Sequence, residues 1–223
     1  AYFFVYDRDC CIPIFYSLTP ESGFKISPYI LDSMLQFDKA KLVILNSPGN
    51  PTGAVTPADW LREIYDVLQR HDVYGYSDEI YARLVYDEEF ASISIYDECR
   101  ERIILSNGFS KAYAMTGWRL GALIAPVTLT EKMMLLLQTT QSCVSPFIQR
   151  AGEAALLGSQ RDSVLMLQAY RERRDLLVSG LNSLGLECGV PGGAFYAFPR
   201  LPVGWTDAES FSDFLLYSTD IAT

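Results

Sequence analysis

LVILNSPGNPTGAVTPADWLREIYDVLQRHDVYGYSDEIY, residues 42–81, contains two short apolar runs separated by a helical pattern. LVIL (42–45) and VYGYS (73–77) have the length and composition of strands, each followed by a polar loop. Between them Thr56 is expected as the N-cap and Pro57 as the first residue of a helix running to Arg70. Strand, loop, helix, strand is a βαβ unit, whose crossover makes the two strands parallel. Asn50 and Asp78 then lie beyond the same ends of the sheet, where ligands of open α/β folds bind.

A third stretch extends the pattern. In SNGFSKAYAMTGWRLG (106–121), Lys111 stands in a small-residue loop between the strand-like runs IILS (103–106) and LGALIA (120–125), with Arg119 eight positions on. If the first of these strands joins the sheet in the same sense, Lys111 reaches the edge already occupied by Asn50, Asp78 and Tyr81. One lysine, one aspartate, one asparagine, one tyrosine and one arginine suit a cofactor with an aldehyde, a ring nitrogen, a ring hydroxyl and a phosphate. Pyridoxal phosphate has these four groups. On this reading Asp78 keeps the ring nitrogen protonated, Asn50 and Tyr81 bond the ring hydroxyl, Arg119 holds the phosphate, and Ile80 lies against one ring face.

NSPGNPTG (46–53), SDEIYA (77–82) and SNGFSKAYAMTGWRLG (106–121), in this order and spacing, resemble the class I/II aminotransferases of the fold type I pyridoxal-phosphate enzymes, most closely the aspartate and aromatic aminotransferase branch. Weaker similarity runs through QTTQSCVSPFIQRAGEAAL (138–156) and VPGGAFYAFP (190–199). The resemblance implies that Lys111 is the Schiff-base lysine, with Asp78, Tyr81, Asn50 and Arg119 in the roles just described. It also implies that Phe3 stacks on the cofactor. Many relatives have a serine three residues before the lysine; here that position is Gly108, which leaves Ser110 as the candidate hydroxyl for the phosphate. The implied activity is ping-pong transamination between an amino acid and a 2-oxo acid by a homodimer. A C–S lyase or synthase of the same fold, or a non-catalytic regulatory domain that binds the cofactor, stands as the alternative.

The implied fold class is α/β: a mostly parallel sheet flanked by helices, over residues 1–184, followed at 185–223 by the start of a smaller α+β domain. Helices are expected over 129–159, broken at Ser145-Pro146, and over 161–184; short strands are expected near 186–188 and 194–198. Relatives also have a glycine-rich phosphate turn before the aromatic strand and a substrate-carboxylate arginine near the carboxyl end. Neither occurs in these 223 residues, so the chain is expected to be part of a longer polypeptide.

Composition narrows the classes further. A net charge of −9 argues against a nucleic-acid surface. The five cysteines are odd in number and scattered, which fits reduced thiols and a cytoplasmic protein. No apolar run is long enough for a membrane helix. The single histidine, His71, leaves too few parts for a Ser-His-Asp triad or a multi-histidine metal site, and it is expected to complement the dipole at a helix end. The acidic groups at 87–89 and 97–98 are expected to be solvated.

Overall fold

The computed structural model describes residues 12–37 and 40–223; Phe3, Cys10 and Cys11 lie outside them. The 42–81 stretch folds as strand β1 (Leu42–Asn46), helix α2 (Ala58–Arg70) and strand β2 (Tyr74–Asp78), preceded by helix α1 (Pro28–Phe37). Strand β3 (Ile103–Gly108), the single-turn helix α3 (Phe109–Ala112) and strand β4 (Gly121–Ile124) follow. The sheet order is β1-β2-β3-β4, with the first three strands parallel and β4 antiparallel to β3. Beyond the sheet lie α4 (Val127–Thr140), α5 (Pro146–Leu157), α6 (Arg161–Ser183) and α7 (Ala208–Thr219).

The main core forms where α1 and α2 cover one face of the sheet. Leu61, Ile64, Tyr65 and Leu68 recur at the spacing that puts them on one side of α2, and they pack with Leu31 and Leu35 of α1, Leu45 of β1 and Ile103 of β3. Helix α2 begins one residue later than expected. Pro57 keeps extended backbone (φ −71°, ψ 157°) and serves as the N-cap, while the Thr56 amide is taken by Ser47 Oγ at 2.9 Å, so Thr56 does not cap the helix. At the other end His71 does more than face a dipole. Its Nε2 lies 2.7 Å from Asp32 Oδ1, and Arg70 Nη1 lies 2.6 Å from the same oxygen, tying α2 to α1. The His71 hydrogen bond, aided by Arg70 and opposed by desolvation, holds the Asp32 carboxyl below its ordinary value.

Two further expectations are corrected. Residues 186–188 and 194–198 form no strands; their backbone groups find partners elsewhere, Cys188 N on Asn182 Oδ1 and Ala194 N on Leu84 O, and the ladder is reduced to a single bridge between Val85 and Gly193. Asp87 stays exposed as expected, and there it pairs with Arg174 Nη1 at 2.5 Å and Arg171 Nη2 at 3.1 Å. Asp97 is buried. Its carboxylate accepts the amides of Glu101, Arg102 and Ile103 and the Tyr65 hydroxyl, fixing the turn that leads into β3.

Candidate active site

Parallel pairing brings the ends of the three strands level. Asn46, Asp78 and Ser106 are register partners across β1, β2 and β3, so the loops that follow them open on one edge. The loop after β1 is braced by its own strand: Asn46 Oδ1 accepts the Asn50 amide at 2.8 Å, and Asn46 Nδ2 donates to Asp78 O at 3.3 Å. This bond also ties the Asn50 loop to the end of β2, and Asn50 itself is exposed.

Along β2 side chains alternate between the two faces. Ser77 Oγ and Ser92 Oγ both donate to the buried Glu79, at 3.0 and 2.7 Å. Burial pushes the Glu79 carboxyl up, against the pull of the Ser92 and Ser77 hydroxyls and with added repulsion from Asp78. Asp78 is oriented by its own turn, Oδ1 accepting the Ile80 amide at 3.3 Å. Ile80 reaches the start of the lysine segment: a Cβ on Gly108 would lie 2.9 Å from Ile80 Cδ1. A serine three residues before the lysine would meet this flexible side-chain end and require it to shift.

Lys111 is half-buried on α3, directly after β3, with Ser110 beside it in sequence. Its Nζ lies 5.0 Å from the Phe195 ring centroid and 5.8 Å from that of Tyr81, so the amine faces two aromatic rings. Helix α6 and the Gln160 that precedes it hold the turn from behind, Ser163 Oγ donating to Ala112 O at 3.0 Å and Gln160 Oε1 accepting from Tyr113 at 3.1 Å. Tyr81 is only 3% exposed, and its hydroxyl lies 2.5 Å from that of Tyr196. Burial, followed by the bond to Tyr196, raises the Tyr81 pKa, so this phenol keeps its proton throughout the physiological range.

The structure therefore brings Lys111 against Tyr81, sets Asp78 at the end of the adjacent strand, and packs Ile80 on the lysine segment. Arg119 stands apart from this group. It is exposed at left-handed backbone (φ 52°, ψ 46°), and its Nη1 donates locally to Thr116 O at 3.1 Å. Sequence reasoning gave Phe195 and Tyr196 no role. The available signal was GGAFY (192–196), two glycines and an alanine ahead of two aromatic residues, which allow close backbone approach and then deliver rings.

The donor set fits pyridoxal phosphate. An amine faces aromatic rings rather than bulk water, a carboxylate sits at the strand end, and a protonated phenol lies within the same cluster. A parallel sheet with a lysine on a short helix at its edge is the architecture of the fold type I enzymes. The family model for aminotransferase class I and II matches residues 9–222. The chain is 38% identical over 208 residues to aspartate aminotransferase of Musicola paradisiaca, covering 92% of this chain and 52% of that protein. It is 39% identical over 199 residues to aromatic-amino-acid aminotransferase 2 of Thermococcus litoralis, covering 88% and 51%. The crystal structure of an aromatic aminotransferase from Pyrococcus horikoshii superposes with a TM-score of 0.86 at 37% identity, over 92% of this chain and 55% of that one.

The chain belongs to the class I and II aminotransferase family, whose members depend on pyridoxal phosphate. It spans about half the length of the curated relatives it matches. Among the described residues no helix is long and apolar enough to cross a membrane, and no cluster of potential metal ligands occurs.

Proposed function

We propose that the protein is a pyridoxal-phosphate-dependent aminotransferase that moves an amino group from an amino acid to a 2-oxo acid. The observation that carries this reading is the Lys111 amine held over the Tyr81 and Phe195 rings at the strand edge where β2 ends in Asp78. When bound, the cofactor supplies an aldehyde that condenses with amines and a protonated ring that takes up an electron pair.

Each residue has a defined task. Lys111 Nζ would anchor the cofactor and, once displaced by substrate, would take the α-proton of the amino acid and deliver it to the former aldehyde carbon. Asp78 holds a proton on the ring nitrogen through its charge. Tyr81, which keeps its own proton, and Asn50 would hydrogen-bond the ring oxygen. Ile80 covers a ring face. Ser110 and Arg119 would hold the phosphate. We also place the division between a large cofactor domain (1–184) and the start of a smaller one (185–223) at the end of α6, where Gly185 turns the chain at φ +79°. A cytoplasmic homodimer of the complete polypeptide follows from the resemblance.

Borohydride reduction in the presence of pyridoxal phosphate tests the assignment. The expected result is a covalent mass addition on the peptide containing Lys111, abolished together with transamination in Lys111→Ala. Labelling of another lysine, or full activity in that variant, would refute it. Release of free ammonia and an eliminated group, in place of transfer of the amino group to an acceptor 2-oxo acid, would reassign the protein to the lyases.

A further inference from the structure

We propose that Tyr196 is a positioning residue that acts through Tyr81, forming a two-hydroxyl relay that ends on the cofactor's ring oxygen. The inference rests on the cofactor reading above. It starts from a contact between residues 115 positions apart, whose hydroxyl oxygens lie 2.5 Å from each other. The Tyr81 hydroxyl has one proton to give. When Tyr81 donates it to an acceptor in the site, its oxygen is left to accept from Tyr196, and hydrogen bonds aligned in this way strengthen one another. Tyr196 therefore both fixes the rotation of the Tyr81 hydroxyl and makes it a stronger donor.

The segment that carries Tyr196 is anchored for such a task. Residues 191–196 fold onto the loops after β1 and β2: Gly193 N donates to Gly53 O at 2.9 Å, Ala194 N to Leu84 O at 2.8 Å, and Tyr86 N to Gly192 O at 2.9 Å. The Tyr86 hydroxyl donates to Ala194 O, and Arg174 Nη1 donates to Pro191 O at 3.2 Å. The approach is so close that no side chain fits at Gly53 or Gly193. A Cβ on Gly53 (φ +67°) would lie 2.3 Å from Pro191 Cβ, and one on Gly193 would lie 2.8 Å from Leu84 O. Gly53 belongs to the loop that carries Asn50, so one anchored segment braces both groups assigned to the ring oxygen.

Rings complete the fixation. Phe195 meets Tyr81 edge-on at 5.3 Å and stacks on Tyr170 of α6 at 5.6 Å, while Tyr196 meets Tyr81 edge-on at 5.7 Å. The charged and titratable groups facing this cluster are Asp78 at the end of β2, Lys111 on α3 and Tyr170 on α6.

The test follows the near-ultraviolet and visible absorbance of the bound cofactor as a function of pH in Tyr196→Phe, Tyr81→Phe and the double variant, with thermal melting as the control for folding. A hydrogen bond donated to the ring oxygen stabilises its negative charge and loosens the hold of that charge on the adjoining proton. Removing the donor therefore raises the pH at which that proton leaves. Tyr196→Phe is expected to raise the midpoint by about half a unit to one unit. Tyr81→Phe should raise it further, and the double variant should match Tyr81→Phe alone. An unchanged midpoint in Tyr196→Phe, or shifts that add in the double variant, would overturn the relay. Absence of a borohydride-fixed label on Lys111 in the unaltered protein would instead overturn the cofactor reading itself.

Discussion

Helices α2 and α4 are similar in length, at 13 and 14 residues, yet they sit in opposite environments. The apolar residues of α2 repeat at i, i+3, i+4 and i+7 and all turn toward β1 and β2; Leu68 is fully buried. In α4 the run Met133, Met134, Leu135, Leu136, Leu137 distributes apolar side chains around the whole helix, and Leu136 is 62% exposed. A polar-backed stripe needs one neighbour, and the sheet supplies it to α2. An all-round apolar helix needs neighbours on every side, and none of the α4 residues is buried. Patterning thus specifies a helix in both places, but only packing converts apolar surface into stability.

The comparison can be broken most sharply at Leu68. Leu68→Ala should cost about 2–5 kcal/mol in a urea titration, because it removes transfer free energy and leaves a cavity between α2 and the sheet. A cost below about 1 kcal/mol would mean that the α2 side is no better packed than the α4 side.

Next in size is Asp97→Asn, expected to cost about 2–3 kcal/mol at neutral pH, because an amide cannot accept all the donors the carboxylate holds. The pH dependence gives a second check. Burial opposes ionisation of Asp97, but the amides of Arg102, Ile103 and Glu101, with the Tyr65 hydroxyl, outweigh it and hold the carboxyl below its ordinary value. A depressed folded pKa means a contribution that is complete above the unfolded value, about 3.9, and lost as pH falls through the folded one. The variant should therefore lose part of the acid dependence of its melting temperature.

Glu79→Gln should be much milder and should carry the opposite sign. Burial raises the folded pKa of Glu79, so its contribution is present below the unfolded value, about 4.3, and fades as pH rises through the folded one. A glutamine accepts the same serine hydroxyls without a buried charge, and stability at neutral pH should stay level or rise by up to about 1 kcal/mol. A large loss on melting would show that the ionised carboxylate is needed. The smallest effect belongs to Leu136→Ala on α4, within about 0.5 kcal/mol in the same urea assay. A larger cost would place α4 among the packed elements and erase the contrast.

Much of the fold was legible because its signals are local. The apolar runs, the α2 stripe, the start of α5 at Pro146 and the end of α6 follow from side-chain periodicity and proline chemistry, and each lies within a residue or two of its expected place, whereas α4 already ends at Thr140, five residues before the expected break. The parallel sense of β1 and β2 follows from the crossover between them. The three motifs also brought Lys111, Asp78, Tyr81 and Asn50 to one edge of the sheet. The misreadings have a common cause. Asp97 sits in a polar stretch that looks solvated, but Tyr65 from α2 and the backbone turn at 101–103 bury its carboxylate, and the expected strands at 186–188 and 194–198 give way to contacts with Asn182 and Leu84.

By itself, then, the sequence determined most of the elements, the sense of the first two strands and the family, because periodicity, turn chemistry and motif spacing act over a few to a few tens of residues. The tertiary structure alone decided which apolar helices are covered, that residues 191–196 settle on the Gly53 and Leu84 backbone instead of forming a strand, and that Tyr196 reaches Tyr81. These contacts join positions more than a hundred residues apart. They depend on shape complementarity between glycine backbones and aromatic rings, which no local pattern encodes.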